Sequence, residues 1–298
     1  YIPNPGKLNL RVYSKSIDMS TQLSYISGIS TKPLLGITIG DMLDDTAARF
    51  PQHDALIVHH QDIRFTYHQF KAIVDDCALA FLTLGVQKGD RVGIWSPNRY
   101  EWTVTQFAAA KIGAILVNIN PSYRLHELEY ALKQSECSTL VSADTFKTSR
   151  FTNMLYALAP ELGDCPKGHL NAIKVPQLRT LICLSEDEYP GMWRWDDFLQ
   201  ESSKSTPEAL AARQSSLAFD EAINIQYTSG TTGFPKGATL SHHNILNNGY
   251  FVAELMNFTE KDRLVIPVPL YHCFGMVMGN LGCVTHGAAM IYPSEGFD

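Results

Sequence analysis

Short, nearly all-apolar segments recur along this chain and alternate with longer segments that have helical periodicity. The clearest of them span residues 91–95, 114–117 and 180–184. Strands that are apolar on both faces are typical of mainly parallel sheets with helices packed on both sides. The sequence therefore predicts an α/β fold, with two doubly wound, mainly parallel sheet subdomains and flanking helices.

The pattern divides the chain into three expected parts. Residues 1–36 lack periodicity and are interpreted as an N-terminal arm. Residues 37–220 form the first α/β subdomain, which ends in a polar stretch from 186 to 220 that we interpret as a linker. Residues 221–298 repeat the strand and helix pattern and are interpreted as a second α/β subdomain that is incomplete.

Local signals predict where several helices begin. Thr38 and Thr66 each stand before an amphipathic segment and are expected N-caps, because a threonine hydroxyl can accept a hydrogen bond from a free N–H of the first turn. Asn98 is the expected cap of a helix that starts at Tyr100. A further helix is expected over residues 144–159.

Composition and charge exclude several classes of protein. The net charge is −6 at pH 7, and no cluster of Lys and Arg is long enough to follow a nucleic-acid backbone, so we expect no nucleic-acid partner. No apolar run approaches the roughly 18 residues that a transmembrane helix needs. Histidines and cysteines lack HExxH or zinc-site spacing, so we assign no metal ligands.

Cysteine usage bears on the cellular compartment. The six cysteines contain no CxxC pair and are sparse for a disulfide framework, which is typical of a reduced, intracellular protein. We therefore expect a cytoplasmic protein. The chain begins with Tyr1, so the removal of a targeting segment stays an open alternative. The mitochondrial matrix is then the alternative compartment.

The most unusual stretch of the sequence is 227–237, which follows a segment with strand-like alternation. It contains three glycines, four Ser or Thr hydroxyls and Lys236. Glycines let backbone N–H groups approach a ligand, hydroxyls donate hydrogen bonds, and the lysine supplies a mobile positive charge. This combination suits a polyphosphate ligand.

Two familiar phosphate motifs do not match this stretch. A Walker A loop would need glycine where Pro235 stands, counting from Gly230. No GxGxxG opens a helix after a strand, which excludes the dinucleotide fingerprint. A flexible surface loop is the remaining alternative. Lys236 and the flanking strand-like segments favour the phosphate-binding interpretation.

The stretch, with Ser241–Asn244 after it, closely resembles the phosphate-binding signature of the adenylate-forming superfamily of AMP-dependent synthetases and ligases. The later motif 269–275 resembles the next signature of the superfamily, in the form that its acyl-CoA synthetases have. The segment 223–292 is most similar to medium-chain and other fatty-acid acyl-CoA synthetases. The resemblance implies an enzyme that uses ATP, Mg²⁺ and coenzyme A to convert a fatty acid into acyl-adenylate and then acyl-CoA.

The resemblance also implies roles for particular residues. Lys236 and Thr231 are the expected catalytic residues, and His272, Phe274 and Gly275 are expected at the acyl-carboxylate pocket. For His272, structural packing against aromatic neighbours is the alternative. Gly233 and Gly237 are expected to permit a bend. The expected nucleotide-binding residues are Thr228, Ser229, Gly230, Thr231, Thr232, Gly233, Lys236 and Gly237.

The sequence departs from the superfamily in what it lacks. We find no counterpart of the Tyr-Gly-x-Thr-Glu element, the Thr-Gly-Asp element, the hinge or the C-terminal lysine. The expected protein is the N-terminal portion of an ATP-dependent fatty-acid–CoA ligase. A homo-oligomer is one possible assembly of it. The alternatives are an adenylation domain that passes its acyl group to a carrier protein or to oxygen, and a catalytically silent nucleotide-binding module.

These absences generate a first prediction. The isolated 298-residue chain should not form acyl-CoA, because the elements expected for most adenine and ribose contacts, the hinge and the C-terminal lysine are absent. An assay of thioester formation that depends on ATP and coenzyme A, compared with a no-enzyme control, checks this. Thioester formed above that control would contradict it.

Overall fold

Two mainly parallel sheets with helices packed against them form the framework of the protein. The computed structural model describes residues 31–228 and 235–296, and one compact unit begins at Leu35. The α/β class predicted from the sequence, with parallel sheets flanked by helices, is confirmed. The arm predicted for residues 1–36 lies outside the described residues except for 31–36 and stays a prediction.

The strands are short, as the apolar segments indicate. Their bounds are β1 Asp54–Val58, β2 Ile63–Thr66, β3 Arg91–Trp95, β4 Ile115–Ile119, β5 Thr139–Ala143, β6 Thr145–Phe146, β7 Ser149–Arg150, β8 Thr180–Leu184, β9 Trp193–Arg194, β10 Ala222–Thr228, β11 Lys236–Ser241, β12 Arg263–Val265 and β13 Ala289–Tyr292.

The helices connect and cover these strands. The α-helices are α1 Ile39–Arg49, α2 Tyr67–Thr83, α3 Tyr100–Ile112, α4 Leu125–Gln134, α5 Phe151–Leu158, α6 Trp195–Gln200, α7 Pro207–Ser215, α8 His242–Leu255 and α9 Gly282–His286. Short 3₁₀ turns span His59–Gln61, Pro160–Gly163 and Glu201–Lys204, and Phe274–Leu281 form a π-helix. No helix among the described residues is long and apolar enough to cross a membrane.

The larger sheet has seven strands in the order β11-β10-β4-β3-β5-β8-β9. All neighbours are parallel except β10 and β11, which pair antiparallel as a hairpin. Successive residues of its central strands belong to different cores. Ile94 packs in the core on the side of α2 and α3, whereas Trp95 packs in the core on the side of α4 and α5. Helices therefore cover both faces, as apolar strands require.

The smaller sheet has four strands in the order β12-β13-β1-β2. Strand β1 pairs in parallel with β13, at the other end of the described chain. Likewise β10 pairs in parallel with β4. The expected boundary between 37–220 and 221–298 therefore does not separate the sheets, because each sheet takes strands from both sides of it. Apolar pattern identifies a strand but not its pairing partner.

Local signals predict the starts of α1, α2 and α3 correctly, but one of the three expected caps is wrong. The Thr38 hydroxyl accepts a hydrogen bond from the Asp41 N–H at 3.1 Å, and Thr66 forms a reciprocal capping box with Gln69. Asn98, in contrast, does not cap α3, whose N-cap is Arg99 without a side-chain hydrogen bond. The Asn98 amide is used in a tertiary contact.

Two other expectations are corrected by the structure. Only Phe151–Leu158 of the expected helix 144–159 is helical, and the residues before it form the small antiparallel pair β6 and β7. The stretch 186–220 is not a linker, since it contains β9, α6 and α7. Arg213 of α7 donates from Nη1 to the Ile112 carbonyl at 3.3 Å, which ties the stretch to α3.

A buried histidine joins α8 to α1. His242 is 1% exposed, and its Nδ1 accepts a hydrogen bond from the Ile39 N–H at 3.1 Å. Burial lowers the pKa of His242 to about 4, while the carboxylates of Glu221 and Asp41 act in the opposite direction. The folded protein therefore holds this ring neutral, since the acceptor role of Nδ1 requires it.

This histidine predicts a loss of stability in mild acid. The unfolded chain protonates His242 below about pH 6.5, whereas the folded chain keeps it neutral down to a pKa of about 4. The unfolded state binds more protons in that window, so its free energy falls relative to the folded state as pH falls. We expect this group to remove about 2 kcal/mol of unfolding free energy between pH 7 and pH 5.

Urea unfolding at both pH values measures the effect. His242→Asn is the matched variant, because Asn Oδ1 is an acceptor near the position of Nδ1 but does not titrate. The stability of this variant should depend less steeply on pH than that of the parent chain. Equal pH dependence in the two proteins would contradict the assignment.

Candidate functional site

A cavity of about 760 Å³ opens at the carboxyl ends of β4 and β10. In open α/β sheets, ligands bind outside the carboxyl ends of the strands. The lining residues are Asn118, Asn120, Tyr123, Gln226, Tyr227, Thr228, Pro235, Val268, Pro269, Tyr271, His272, Cys273 and Phe274.

The glycine-rich hairpin has its base at this cavity. Thr228 and Lys236 stand opposite each other in the β10–β11 ladder, and the Thr228 hydroxyl donates to the Lys236 carbonyl at 3.4 Å. Two tyrosine hydroxyls, one from β10 and one from α4, fix the base of the hairpin to α4. The Tyr227 hydroxyl donates to the Ala131 carbonyl at 3.1 Å, and the Tyr130 hydroxyl donates to the Pro235 carbonyl at 3.2 Å.

The predicted nucleotide-binding residues fall partly within the described residues. Thr228 lines the cavity, and Lys236 is exposed at the start of β11, next to Pro235 of the lining. The remaining residues of the signature, Ser229, Gly230, Thr231, Thr232 and Gly233, lie outside the described residues, and their roles stay predictions.

Glycine is required at position 237 for close packing and not for the bend that the sequence predicted. It lies within β11 opposite Tyr227, so it does not form a bend. A Cβ at this position would lie 3.0 Å from Ile225 Cγ2 and 3.4 Å from the Tyr227 ring. Glycine therefore permits close approach between the hairpin and these side chains.

Three buried amides connect the two strands beneath the cavity. Asn224 Nδ2 donates to Asn118 Oδ1 at 3.1 Å, and Asn118 Nδ2 donates to Gln226 Oε1 at 3.0 Å. Gln226 Nε2 then donates to the Tyr271 carbonyl at 2.7 Å. We call these three residues the amide chain. All are at most 6% exposed, so their hydrogen bonds form away from water, where leaving a polar group unpaired is costly.

A turn over residues 268–274 forms the opposite wall of the cavity. The Asn98 amide holds its beginning through two hydrogen bonds, donating to the Val268 carbonyl at 2.9 Å and accepting from the Leu270 N–H at 2.8 Å. The His272 N–H donates to the Pro269 carbonyl at 3.2 Å. Asn98 thus supports the site instead of capping a helix.

The turn leads directly into the π-helix Phe274–Leu281, which is fixed to α3 by buried polar contacts. Gln106 Nε2 donates to the Met276 carbonyl at 3.1 Å, and Asn280 Nδ2 donates to Gln106 Oε1 at 2.9 Å. The Tyr292 hydroxyl donates to Asn280 Oδ1 at 2.7 Å. Turns of π-helix are frequent at functional sites.

The structure brings together some, but not all, of the expected substrate-pocket residues. His272 and Phe274 line the cavity, and Phe274 is 58% exposed. The His272 ring lies 4.2 Å from the Tyr271 ring, centroid to centroid, while the residue remains exposed. Gly275 does not line the cavity. A Cβ there would lie 2.7 Å from the Pro269 carbonyl oxygen, so glycine at this position permits the close packing of the turn against Pro269.

The described wall of the cavity is largely uncharged. Its lining contains no Lys, Arg, Asp or Glu among the described residues. Burial raises the pKa of the Tyr123 and Tyr271 phenols and of the Cys273 thiol. All three side chains are thus neutral at pH 7. Residues 31–228 and 235–296 contain no group of three His, Cys, Asp or Glu suited to a metal ion.

Sequence reasoning did not identify the amide chain. The available signal was the presence of Asn118, Asn224 and Gln226 in strands that are otherwise apolar. Buried amides are costly unless their hydrogen bonds are satisfied, so their presence in a core strand indicates a specific partner. The partner, the Tyr271 carbonyl, is distant in sequence and was not predictable from that signal.

Comparison with known proteins places this geometry in a family context. The family model described as "AMP-binding enzyme" matches residues 43–298. The putative acyl-CoA synthetase YngI of Bacillus subtilis is 44% identical over 265 residues, which are 89% of this chain and 48% of YngI. The mitochondrial medium-chain acyl-CoA ligase ACSF2 of Homo sapiens is 42% identical over 281 residues, 93% of this chain and 46% of ACSF2. The chain spans about half the length of these relatives.

Solved structures agree with the fold. The N-terminal domain of FACL13 from Mycobacterium tuberculosis superposes with a TM-score of 0.68 at 23% identity, covering 88% of this chain and 58% of that one. The anthranilate CoA ligase AuaEII, solved with anthranoyl-AMP, gives a TM-score of 0.70 at 21% identity over 87% of this chain and 45% of its own. At these identities the likeness shows the fold alone.

The position of Gly275 predicts a specific loss of stability. In Gly275→Ala the added methyl group meets the Pro269 carbonyl oxygen at 2.7 Å, so the turn must shift. Overpacking of this kind costs about 1–3 kcal/mol of unfolding free energy. Urea unfolding measures the difference.

Gly163→Ala is the matched control, because a Cβ there meets nothing within 4 Å. It should change the unfolding free energy by less than about 0.5 kcal/mol. If the two alanine variants unfold at the same urea concentration, the close contact behind the turn is not a constraint.

Proposed function

The chain belongs to the AMP-binding enzyme family, and from this we propose that it is the N-terminal part of an ATP-dependent fatty-acid–CoA ligase. In the proposed reaction a fatty-acid carboxylate attacks the α-phosphate of ATP and pyrophosphate leaves. The thiol of coenzyme A then displaces AMP from the acyl-adenylate and gives acyl-CoA. The two relatives described above, which are 44% and 42% identical to the chain over the aligned residues, are named as an acyl-CoA synthetase and an acyl-CoA ligase.

The observation that carries the proposal is the shared cavity. Its wall contains both the base of the glycine-rich hairpin, at Thr228 and Pro235, and the turn with His272 and Phe274. A polyphosphate held by the hairpin and a carboxylate at the turn would then lie in one volume. Holding reactants together in this way supplies much of the rate enhancement that an enzyme provides.

The charge distribution supports separate roles for the two walls. The uncharged aromatic residues Tyr123, Tyr271 and Phe274 suit an acyl group, since they offer apolar surface. Lys236 supplies positive charge next to the hairpin base, where the leaving pyrophosphate gains negative charge. Thr231, Thr232, Ser229 and the signature glycines are proposed to bind the β- and γ-phosphates. Mg²⁺ would neutralise phosphate oxygens.

The remaining assignments follow the same division. His272 is proposed to position the carboxylate and not to act as a general base, because a carboxylate is already ionised at neutral pH. Gly275 sets the shape of the turn and Gly237 the packing of the hairpin. We propose a cytoplasmic location, with the mitochondrial matrix as alternative because ACSF2 is named as mitochondrial. A homo-oligomer is possible.

The proposal predicts that loss of the lysine charge slows adenylate formation. In the full-length protein, Lys236→Ala and Thr231→Ala should each remove about 2–4 kcal/mol of transition-state stabilisation, because a charge-assisted or hydroxyl contact to phosphate is lost. Pyrophosphate release in the presence of fatty acid and ATP measures this step.

Lys204→Ala is the control, because that lysine is 63% exposed and pairs with Glu201. Its pyrophosphate release should match that of the parent enzyme. Unchanged release in both hairpin variants would remove the hairpin from the mechanism and, with it, the proposed function of this cavity.

A further inference from the structure

Strand β10 contributes to both walls of the cavity. It ends at Thr228, the base of the hairpin, and two residues earlier it carries Gln226, which contacts the opposite turn. Two residues of extended strand span about 7 Å. A single rigid strand therefore determines where the hairpin starts and where the turn is held.

Only one orientation of the amide chain satisfies the hydrogen bonds between its members and the turn, and in it the buried Asn224 Oδ1 accepts none. The Tyr271 carbonyl is an acceptor, so Gln226 must present its NH₂ group to it and its oxygen to Asn118. Asn118 must then present its own oxygen to Asn224. Each amide donates toward the turn, and this order rests on the main-chain acceptor at its end. The chain is thus directional and specific for the turn.

The two supports of the turn hold different parts of it. Asn98 binds residues Val268 and Leu270 at its beginning. Gln226 binds the Tyr271 carbonyl directly before His272, and its Oε1 also accepts from the Cys273 thiol at 3.6 Å. Asn118 Nδ2 lies 3.5 Å from the same Tyr271 carbonyl, a longer contact than the 2.7 Å bond from Gln226. The Tyr271 carbonyl is therefore held by the amide chain, chiefly by Gln226, and not by Asn98.

We propose that Gln226 is a positioning residue that fixes His272 relative to the phosphate-binding hairpin. The functional consequence rests on the proposed ligase activity, whereas the geometric part does not. When Gln226 holds the Tyr271 carbonyl, the cavity wall that faces the acyl carboxylate keeps a fixed distance from Thr228. Without it, the tip of the turn opens while the sheet and the Asn98 contacts persist.

Cys273 is a built-in probe of the turn. It is half-buried and lies directly beside Gln226, whereas Cys77, Cys137, Cys183 and Cys283 are buried. Cys165 is the other partly exposed thiol, so Cys165→Ser provides a background in which alkylation of the folded chain reports on Cys273. The rate of reaction with iodoacetamide at pH 8, followed by mass spectrometry, is the measurement.

Gln226→Met and Gln226→Leu are the test variants. Methionine keeps the length and volume of glutamine but neither donates nor accepts strongly, and leucine cannot donate to the Tyr271 carbonyl and adds no charge beside the Cys273 thiol. Both should raise the alkylation rate of Cys273 about tenfold, the factor expected for local loss of one buried hydrogen bond. If one variant fails to fold, the other decides.

Asn247→Met is the matched control. Asn247 is 6% exposed and binds Leu35 and His243, and none of these hydrogen bonds reaches the turn. Its Cys273 rate should stay within about twofold of the parent, since local opening elsewhere does not expose the turn. Rates within twofold of the parent in both Gln226 variants would overturn the proposal, and so would an equal rise in all three variants.

A kinetic measurement separates this proposal from the proposed function. In the full-length protein, Gln226→Met should raise the KM for the fatty acid about tenfold and leave the KM for ATP within about twofold, because only the carboxylate side loses its position. Equal rises in both KM values would overturn the role. If no ligase activity is found at all, the proposed function fails, and the Cys273 rates alone decide the positioning role.

Discussion

The parallel pairing of β10 with β4 is the constraint on which the candidate site depends. It sets Asn224 beside Leu116 and Gln226 beside Asn118, so that the amides of both strands lie in hydrogen-bonding reach. A slip of one residue would turn these side chains to the other face of the sheet, into the apolar core. The same slip would displace the start of the hairpin along β10 relative to β4. The register between β4 and β10 therefore determines both the pairing of the sheet and the geometry of the site.

Much of the fold followed from local sequence signals, because those signals act within a few residues. Thr38 and Thr66 cap helices through hydrogen bonds to residues three positions later. Pairing partners were not predictable, since β1 meets β13 across more than two hundred residues of chain. The role of Asn98 was not predictable for the same reason, because its partners are distant in sequence. Its amide suits a helix cap, but the loop at Val268 and Leu270 binds it instead.

The candidate site was predictable where a motif names the residue and unpredictable where packing selects it. The motif signatures identified Thr228, His272 and Phe274, which line one cavity. They predicted Gly275 at the substrate pocket, whereas in the structure the absence of a side chain at Gly275 leaves room for the Pro269 carbonyl. Gln226 lies outside both motifs. It contacts the turn only because the tertiary fold brings the turn to it.

The π-helix Phe274–Leu281 has a consequence for how this cavity can diversify. Its hydrogen bonds skip one more residue than those of an α-helix. A one-residue deletion inside it could therefore be absorbed by a return to α-helical winding. The residues at its start would then rotate relative to those at its end by a fraction of the roughly 100° that one α-helical residue spans, because each residue of the wider π turn covers a smaller angle. Since Gln106 and Tyr292 fix Asn280 near the end, the rotation would fall on the start, where it would change the position of Phe274 at the cavity and the contact of Gln106 with Met276. Length variation in this segment would change pocket shape and leave both sheets intact.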